Sequence, residues 1–561
     1  MSTAAVSRRD LLKLSLLGAA AVALPFERVV RARSVSQIAA SRLPKPYTLP
    51  FSVPPAIDAR AAGSLVTLEQ TARQVEILPG FATTIFGYNV PGAGAVTPGP
   101  TIHARRGNPI TVNQVNKLPA AHPQWGYNPW TSTHLHGSAS KPQYDGYASD
   151  ITDVGRTKRY VYPNKQDART LWYHDHGVHH TAENAYMGLA AQYHLHDTVE
   201  DGLAIPKWAF DGRPAADQYD LPLVLADKMF NSDGNLRYDD ASHSGLWGDV
   251  VLVNGVPWPN LKVKRRMYRF RILNASISRG YLLKLSNGAP FTVIGTDGGL
   301  MPQAQLATQI RIGMAERYEV LVDFGTYAAG TKLQLTNLGV KNSTDFDDTG
   351  KVMQFEVVGD AFDPANNTVP QAGAGLYSLN PNREVWSLTE DESAGTTKIE
   401  VVRENGMWKI RSVDPQGRNK SMTWEDIVNS GYKEVVSNPR LGDVQVWEMT
   451  NKSGGWFHPV HVHLVDFRIL SRSGGSGAVA SYEQGPKDVA YVGENETIRA
   501  IMRFGDKDRR DTSVTGRYMI HCHNLPHEDH DMMTQFRVGD DVDDVADVDR
   551  CNDPIKADPA Y

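Results

Sequence analysis

Short runs of alternating apolar and polar residues recur along most of the chain, and turn-forming Gly, Pro, Asn and Asp residues separate them. In residues 109–115, 268–273 and 318–324, β-branched and aromatic residues recur at every second position. That period is typical of half-buried strands. Long helical periodicity is scarce, although a short helix is predicted in residues 182–191. The pattern therefore predicts an all-β protein built from sandwiches or barrels.

Two breaks in the pattern divide the chain into blocks of domain size. Residues 197–206 begin acidic and polar and end at Pro206, and residues 359–382 are rich in Pro, Gly and Asn, which suits a linker. The 561 residues provide for three to four domains of roughly 150 residues each. The predicted organisation is a signal peptide at 1–34, domains at 45–200, 201–360 and 375–540, and an acidic tail at 541–561.

The N-terminal segment is predicted to direct export. Arg8 and Arg9 precede an apolar run at 14–24, which as a helix spans only about 16 Å of a bilayer core of roughly 30 Å. A charged start followed by a short apolar stretch is typical of a signal peptide, and the arginine pair resembles a twin-arginine signal. We therefore expect the twin-arginine export machinery as a partner and a periplasmic or extracellular location.

Charge and hydropathy narrow the classes of partner. The formal net charge is −5 and the sequence pI is about 6.4, so no basic excess marks a nucleic-acid-binding protein. No segment after the signal has 18 uncharged apolar residues in succession. The mature protein is therefore not expected to span a membrane with helices.

Ten of the 18 histidines fall in four tight groups. On a strand, a His-x-His pair places both imidazoles on one face, because side chains alternate with period two. Packed neutral imidazoles would otherwise leave ring nitrogens in need of partners, so four such groups in one chain predict a metal cluster. The groups are His134 and His136; His174 and His176; His458, His461 and His463; and His521, His523 and His527.

The most specific prediction concerns Cys522. It lies between His521 and His523 and points to the side of the strand opposite to theirs. A thiolate, two imidazoles and a weak axial thioether form a blue-copper electron-transfer site. His527 and Met532 lie just downstream, where a turn can fold back onto Cys522. His458, set apart from its neighbours by Pro459, is expected to supply the second imidazole. The other eight grouped histidines could then hold three further copper ions, which makes four in all.

The other histidines and the second cysteine receive weaker interpretations. If Cys522 is a ligand, Cys551 has no intrachain partner and is expected to be a free thiol. Three histidines beside the groups could orient ligands: His179, His180 and His530. Five others are interpreted as structural or exposed: His103, His122, His194, His196 and His243.

The four motifs, in this order, resemble those of the multicopper oxidases. Within that family the segments 455–467 and 521–533 are most similar to bilirubin oxidases and spore-coat-type laccases, and segments 252–255, 268–275 and 316–320 also resemble the family. The resemblance implies three cupredoxin-like Greek-key β-sandwich domains. It places a mononuclear blue copper in the third domain and a trinuclear cluster between the first and the third.

The resemblance also assigns the ligands by position. It implies a blue copper held by His458, Cys522, His527 and Met532; a lone cluster copper held by His134 and His461; and a coupled pair held by His136, His174, His176, His463, His521 and His523. Pro526 precedes His527, where relatives often have Ile or Glu, but this difference removes no ligand.

Three further residues are candidates for catalysis. Asp145 and Glu528 match the acids of the family near the lone cluster copper and near the coupled pair, and they could deliver protons or orient a ligand histidine. Trp456 lies two residues before His458. It could pass electrons from a substrate, and a plain packing role remains the alternative.

The expected reaction is the four-electron reduction of dioxygen to water, with electrons taken singly from a reductant. The candidate reductants are bilirubin or a related tetrapyrrole, and phenols or aromatic amines as in a laccase. Oxidation of Cu(I) or Mn(II) is a third possibility, although the 14 methionines form no dense run for Cu(I). A copper-free scaffold of the same fold is disfavoured, because such relatives lose their ligands and this chain keeps all twelve.

Overall fold

The computed structural model describes residues 36–239, 243–359, 368, 383–414, 416–475, 477–506 and 514–539. The predicted signal peptide, the acidic tail, Cys551 and most of the predicted linker at 359–382 lie outside these residues. Within them, no helix is both long and apolar enough to cross a membrane. The expected all-β class with three sandwiches is confirmed, whereas the exact domain boundaries stay predictions.

The first sandwich consists of a five-stranded sheet, in the order β1-β4-β9-β8-β6, and a four-stranded sheet, in the order β3-β2-β5-β7. Its strands are β1 (Ala56–Asp58), β2 (Leu65–Val75), β3 (Thr83–Asn89), β4 (Thr101–Arg105), β5 (Ile110–Asn116), β6 (Thr133–His136), β7 (Thr157–Tyr162), β8 (Arg169–Asp175) and β9 (Ala190–His196). Two short helices accompany them, α1 (Thr181–Met187) and α2 (Thr198–Gly202).

The helix predicted at residues 182–191 is only partly right. Helix α1 ends at Met187, because Gly188 adopts a φ of 127°, which residues with a side chain rarely adopt. Ala190 then begins β9. Sheet pairing with β8 and β4 therefore overrides the helical propensity of the alanines in this segment.

The second sandwich has a seven-stranded sheet, in the order β12-β11-β10-β14-β19-β16-β17, and a five-stranded sheet, in the order β13-β21-β20-β15-β18. Its strands are β10 (Asp220–Lys228), β11 (Val250–Val253), β12 (Val256–Pro257), β13 (Asn260–Lys264), β14 (Met267–Asn274), β15 (Tyr281–Leu285), β16 (Phe291–Thr296), β17 (Gly299–Ala307), β18 (Ile310–Ile312), β19 (Arg317–Asp323), β20 (Lys332–Asn337) and β21 (Lys351–Val358).

The third sandwich pairs a six-stranded sheet, in the order β24-β23-β22-β25-β29-β27, with a four-stranded sheet, in the order β28-β26-β30-β31. Its strands are β22 (Ser393–Glu404), β23 (Met407–Val413), β24 (Asn419–Met422), β25 (Val444–Asn451), β26 (His458–Val462), β27 (Phe467–Gly474), β28 (Val489–Val492), β29 (Glu496–Arg503), β30 (Gly516–Cys522) and β31 (Met533–Val538). Three short helices complete it, α3 (Arg383–Ser387), α4 (Trp424–Asn429) and α5 (Leu525–Glu528).

A buried ion network fixes the first sandwich against the second. The guanidinium of Arg271 on β14 donates to Glu200 at 2.7 Å and to Asp220 at 2.8 Å. Thr170 on β8 donates to Glu319 at 2.7 Å, and Glu319 also pairs with Arg271. Since a buried charge without a partner is costly, the two sheets are restricted to the arrangement that keeps these groups paired.

Candidate metal centre

The strand register gathers the predicted ligands on neighbouring strands of two sheets. On β6 and β8 of the first sandwich, His134 lies opposite His174. On β26 and β30 of the third sandwich, His461 lies opposite His521 and Val460 lies opposite Cys522. Because neighbouring residues on a strand point to opposite faces, Cys522 and His521 serve two different sites.

The eight cluster histidines meet between the first and third sandwiches, and each is at most 1% exposed. Rings from the two sandwiches stack in pairs, His134 on His463 at a centroid distance of 3.9 Å and His136 on His461 at 3.7 Å. The ligating nitrogens form close groups, namely His136, His174 and His523; His176, His463 and His521; and His134 with His461, whose Nε2 atoms are 3.4 Å apart.

The buried rings are arranged to bind a cation. Burial lowers the pKa of His136, His174 and His523 well below the ordinary value, so these imidazoles are neutral at pH 7. Within the described residues, His136 Nδ1, His174 Nε2 and both nitrogens of His523 have no hydrogen-bond partner. Converging lone pairs of neutral imidazoles suit a copper ion, which is a preferred partner of this ligand.

The blue-copper candidates form a second group. The Sγ atom of Cys522 lies 3.3 Å from His458 Nδ1 and 3.9 Å from His527 Nδ1. Met532 is fully buried in the same apolar cluster as Cys522, and its carbonyl accepts from the Cys522 amide at 3.0 Å, so the two residues are neighbours. Burial raises the pKa of the Cys522 thiol, and the thiolate form therefore needs a bound cation to be stable.

Asp145 holds two cluster rings from the outer side. The short 3-10 turn Pro142–Tyr144 precedes it. The Asp145 carbonyl accepts from His134 Nδ1, and its carboxylate accepts from His463 Nδ1 at 2.7 Å. A ring that donates through Nδ1 keeps its lone pair on Nε2, toward the cluster. Burial raises the pKa of Asp145 well above the ordinary value, because the charged form is poorly solvated there.

Glu528 occupies the corresponding place on the other side of the cluster. Its carboxylate lies 2.8 Å from His521 Nδ1 and 3.5 Å from His176 Nε2. Burial favours the protonated form of Glu528, but the two neighbouring imidazoles hold the pKa of its carboxyl below the ordinary value. The structure thus brings both predicted acids into contact with predicted ligands.

Asp488 is a cluster residue that the sequence analysis missed. Its carboxylate accepts from His136 Nε2 at 3.1 Å, and its carbonyl accepts from His461 Nδ1 at 2.8 Å. Arg317 on β19 of the second sandwich donates to both oxygens of that carboxylate, at 2.7 and 2.5 Å. An aspartate outside the histidine motifs gives no spacing signal, so only the tertiary contact identifies it.

Comparison with known proteins decides the family. Family models described as multicopper oxidase match residues 73–199, 207–341 and 407–542, which together exceed half of the chain. The chain belongs to the multicopper oxidase family. It is an oxidoreductase that uses oxygen and takes electrons from a reducing substrate, and its cofactor is copper, which the donor set described above fits.

Individual relatives of this multicopper oxidase agree with that conclusion. It is 36% identical over 509 residues to the bilirubin oxidase of Albifimbria verrucaria, covering 87% of this chain and 81% of the relative. It is 34% identical over 485 residues to a laccase of Bacillus stratosphericus, covering 78% and 88%. The structure of McoA multicopper oxidase from Aquifex aeolicus matches with a TM-score of 0.72 and 28% identity, covering 88% and 99%.

Aromatic side chains cover the blue-copper site of the oxidase. Trp408 is fully buried and stacks on His527 at 3.9 Å, and its indole donates to the carbonyl of His243. Trp456 is half-buried, with its ring 5.8 Å from that of His527 and 6.0 Å from that of Trp247. Trp456 thus lies beside a predicted ligand, its electron-transfer role stays a prediction, and Trp408 is a neighbour that the sequence did not indicate.

Replacement of the thiol tests the blue-copper assignment. We expect Cys522→Ser to abolish both the blue absorption and substrate oxidation, because a hydroxyl cannot supply the thiolate ligand. Absorption spectra and copper counts of purified protein measure this. Met532→Leu is the matched control and should keep the blue colour, since the axial thioether is a weak ligand. A blue Cys522→Ser protein would contradict the assignment.

Replacement of Asp488 tests its contact with the cluster. We expect Asp488→Asn to weaken copper binding at the cluster by about 10–100-fold while the blue absorption remains, because His136 loses a charged partner and Arg317 loses the closer of two counterions. Copper stoichiometry and electron paramagnetic resonance report the two sites separately. Asp466→Asn, which breaks the ion pair with Arg169, is the control and should leave the cluster loaded.

Proposed function

We propose that this oxidase couples the one-electron oxidation of bilirubin-type tetrapyrroles, or of phenols and aromatic amines, to the four-electron reduction of dioxygen to water. The names of its relatives, a bilirubin oxidase and laccases, support these two classes of reductant. When bound, the copper ions supply the capacity to accept electrons singly and deliver four of them to dioxygen.

The observation that carries the proposal is the aromatic cover of His527. Both imidazoles of the blue site, His458 and His527, are fully buried, so a reductant stays outside and needs no bond to the metal. Trp456 bridges the distance, because it touches solvent and lies within 6 Å of His527. A flat aromatic or conjugated reductant can pack against Trp456 and Trp247 and pass electrons inward.

In this proposal the ligand roles follow the geometric groups. The blue copper is held by His458, Cys522, His527 and Met532; the lone cluster copper by His134 and His461; and the coupled pair by His136, His174, His176, His463, His521 and His523. Cys522 is bonded through the backbone to both His521 and His523, so covalent bonds join the two sites over the shortest distance that the chain allows.

Two reductants compared side by side test the substrate class. We expect copper-loaded protein to consume oxygen with both bilirubin and a dimethoxyphenol. A much larger kcat/KM for bilirubin would identify a surface shaped for tetrapyrroles, and comparable or faster phenol turnover would identify a laccase. If neither bilirubin nor the phenol supports oxygen uptake, the proposal is contradicted. In the same assay Trp456→Leu should lower kcat severalfold with both reductants and leave the blue absorption unchanged.

Trp386→Leu is the matched control for that variant. Trp386 is also half-buried in the third sandwich but packs under Arg468 rather than beside His527. Equal rates in the Trp456 and Trp386 variants would give Trp456 a packing role only.

Asp145 and Glu528 are proposed to deliver the protons that the reduction of dioxygen at the cluster consumes. Asp145 and Glu528 each contact rings of the cluster from outside and are fully enclosed. We expect Asp145→Asn to slow reoxidation of the reduced enzyme by dioxygen by about 10²–10⁴-fold, since the amide cannot donate the carboxyl proton. Stopped-flow measurements with and without oxygen check this.

Reduction of the blue site by substrate should stay unchanged in the same variant. If Asp145 instead only orients a ligand, Asp145→Asn will lose cluster copper, and the copper count will reveal it. The expected result is a full copper complement with slow reoxidation.

Export through the twin-arginine machinery, to the periplasm or the cell exterior, is also proposed. Its support is the sequence of residues 1–34, with Arg8 and Arg9 ahead of a short apolar run. In cells that produce the full chain, replacing both arginines by lysine should retain the oxidase in the cytoplasmic fraction. Unchanged export of that variant would contradict the proposal.

A further inference from the structure

Three histidines of the first sandwich form a cluster separate from the copper sites. His103 lies on β4 and His194 on β9, directly opposite each other on parallel neighbouring strands. His196 follows two residues later on the same face of β9. The candidate ligand nitrogens of the three rings all lie within 4.8 Å of one another. The sequence had suggested only structural or exposed roles for these residues.

The neighbours of His194 leave its Nδ1 as a lone pair. The amide nitrogen of Gln192 donates to the Arg271 carbonyl at 2.8 Å, so the Gln192 oxygen is free to accept. His194 Nε2 lies 2.7 Å from that oxygen and must therefore carry the proton. Among the residues that the structure describes, His194 Nδ1 then has no partner, although the side chain is fully buried.

Glu200 fixes which ring nitrogen of His196 carries the proton. Its carboxylate lies 2.6 Å from His196 Nδ1, which donates to it and leaves the lone pair on Nε2. That lone pair faces His103 Nδ1 at 3.0 Å. A carboxylate behind an imidazole is the arrangement that orients many metal-bound histidines and increases their basicity.

Neither neutral tautomer of His103 gives every ring nitrogen of the cluster a hydrogen-bond partner. If its Nδ1 donates to His196, its own Nε2 becomes a buried lone pair, and that atom has no partner within the described chain. If Nε2 carries the proton instead, two lone pairs face each other at 3.0 Å. Protonation of His103 or His194 does not resolve this, because burial lowers the pKa of both imidazoles well below the ordinary value. A cation between the two rings removes the conflict of the facing lone pairs, because it accepts both of them.

We propose that His103, His194 and His196 bind a divalent transition-metal ion, Zn²⁺ or Cu²⁺, in addition to the copper ions of the oxidase. Imidazole is a preferred ligand of both ions, and three imidazoles leave a fourth position for water. His196 is 12% exposed and provides the route from solvent. Trp208 and Phe210 pack against His103, with ring distances of 5.3 and 4.9 Å, and exclude water from the other side.

The bound ion has a structural role. It joins β4 to β9 and, through Glu200, to Arg271 of the second sandwich, which donates to the same carboxylate at 2.7 Å. The site therefore clamps the junction between the first two sandwiches, away from the rings that serve the copper cluster.

Metal counting on the copper-loaded oxidase tests this proposal. Holoenzyme is dialysed against micromolar Zn²⁺ in one arm and Cu²⁺ in the other, and total metal per chain is measured by mass spectrometry. We expect one ion per chain beyond the oxidase copper, together with a higher Tm. Uptake of the extra ion in the zinc arm alone would identify a zinc site. Uptake of the extra ion in the copper arm would identify a copper site.

Variants distinguish this site from adventitious binding. His196→Gln should lose the extra ion while it keeps the oxidase copper and the blue absorption. Gln192→Met should weaken binding by about 10–100-fold, because it removes the partner that orients His194, together with the hydrogen bond to the Arg271 carbonyl. His122→Gln, a buried histidine stacked on Trp125, is the control and should bind the extra ion normally. No extra ion in the unaltered protein, or equal uptake by His196→Gln, would overturn the proposal.

Discussion

Burial of neutral imidazoles between the first and third sandwiches is the constraint on which the rest of the structure depends. A buried polar atom without a partner costs about 1–3 kcal/mol, and the cluster contains several such ring nitrogens among its described residues. Bound copper would remove that cost by accepting the lone pairs. The same rings come from two separate sheets, so a bound metal would also join the sandwiches that supply them.

The second sandwich supplies none of the proposed copper ligands, but its side chains contact residues that hold the cluster histidines in place. Arg317 reaches from β19 to Asp488, and Asp488 holds one ring by its carboxylate and another by its carbonyl. Arg271, on the same face of the neighbouring strand β14, pairs with Glu200 and Asp220 and holds that face against the first sandwich. Buried ion pairs are weak evidence for stability, but the cost of separating them restricts the domains to one arrangement. That arrangement keeps the ligand rings from the first and third sandwiches within reach of one another.

Side chains that alternate between the two faces of β30 separate the blue-copper site from the cluster. Cys522 faces the core of the third sandwich, beside Met532 and under Trp408, whereas His521 faces the interface with the first sandwich. In the proposed function the reductant meets an aromatic surface around Trp456, whereas the cluster is enclosed with Asp145 and Glu528. This separation suits an enzyme that takes electrons from a bulky donor and protects a small oxidant from it.

Local periodicity made much of this protein predictable from its sequence. Period-two alternation predicts strands, and a His-x-His pair or a His-Cys-His triplet determines which side chains share a face without any knowledge of the fold. Those features, with the family resemblance, were sufficient for the sandwich class and for the ligand set that the structure brings together. The helix at 182–191 was placed too far toward the C-terminus, because sheet pairing of β9 outweighs local propensity.

Only the tertiary structure decided which distant residues meet. The stacking of His136 on His461, the support of both by Asp488 and Arg317, and the cover of His527 by Trp408 join segments from different sheets. His103 and His196 are 93 residues apart and become neighbours because β4 and β9 pair in parallel. Short-range spacing carries no information about such pairings, since they depend on how the sheets assemble and pack rather than on the period of one strand.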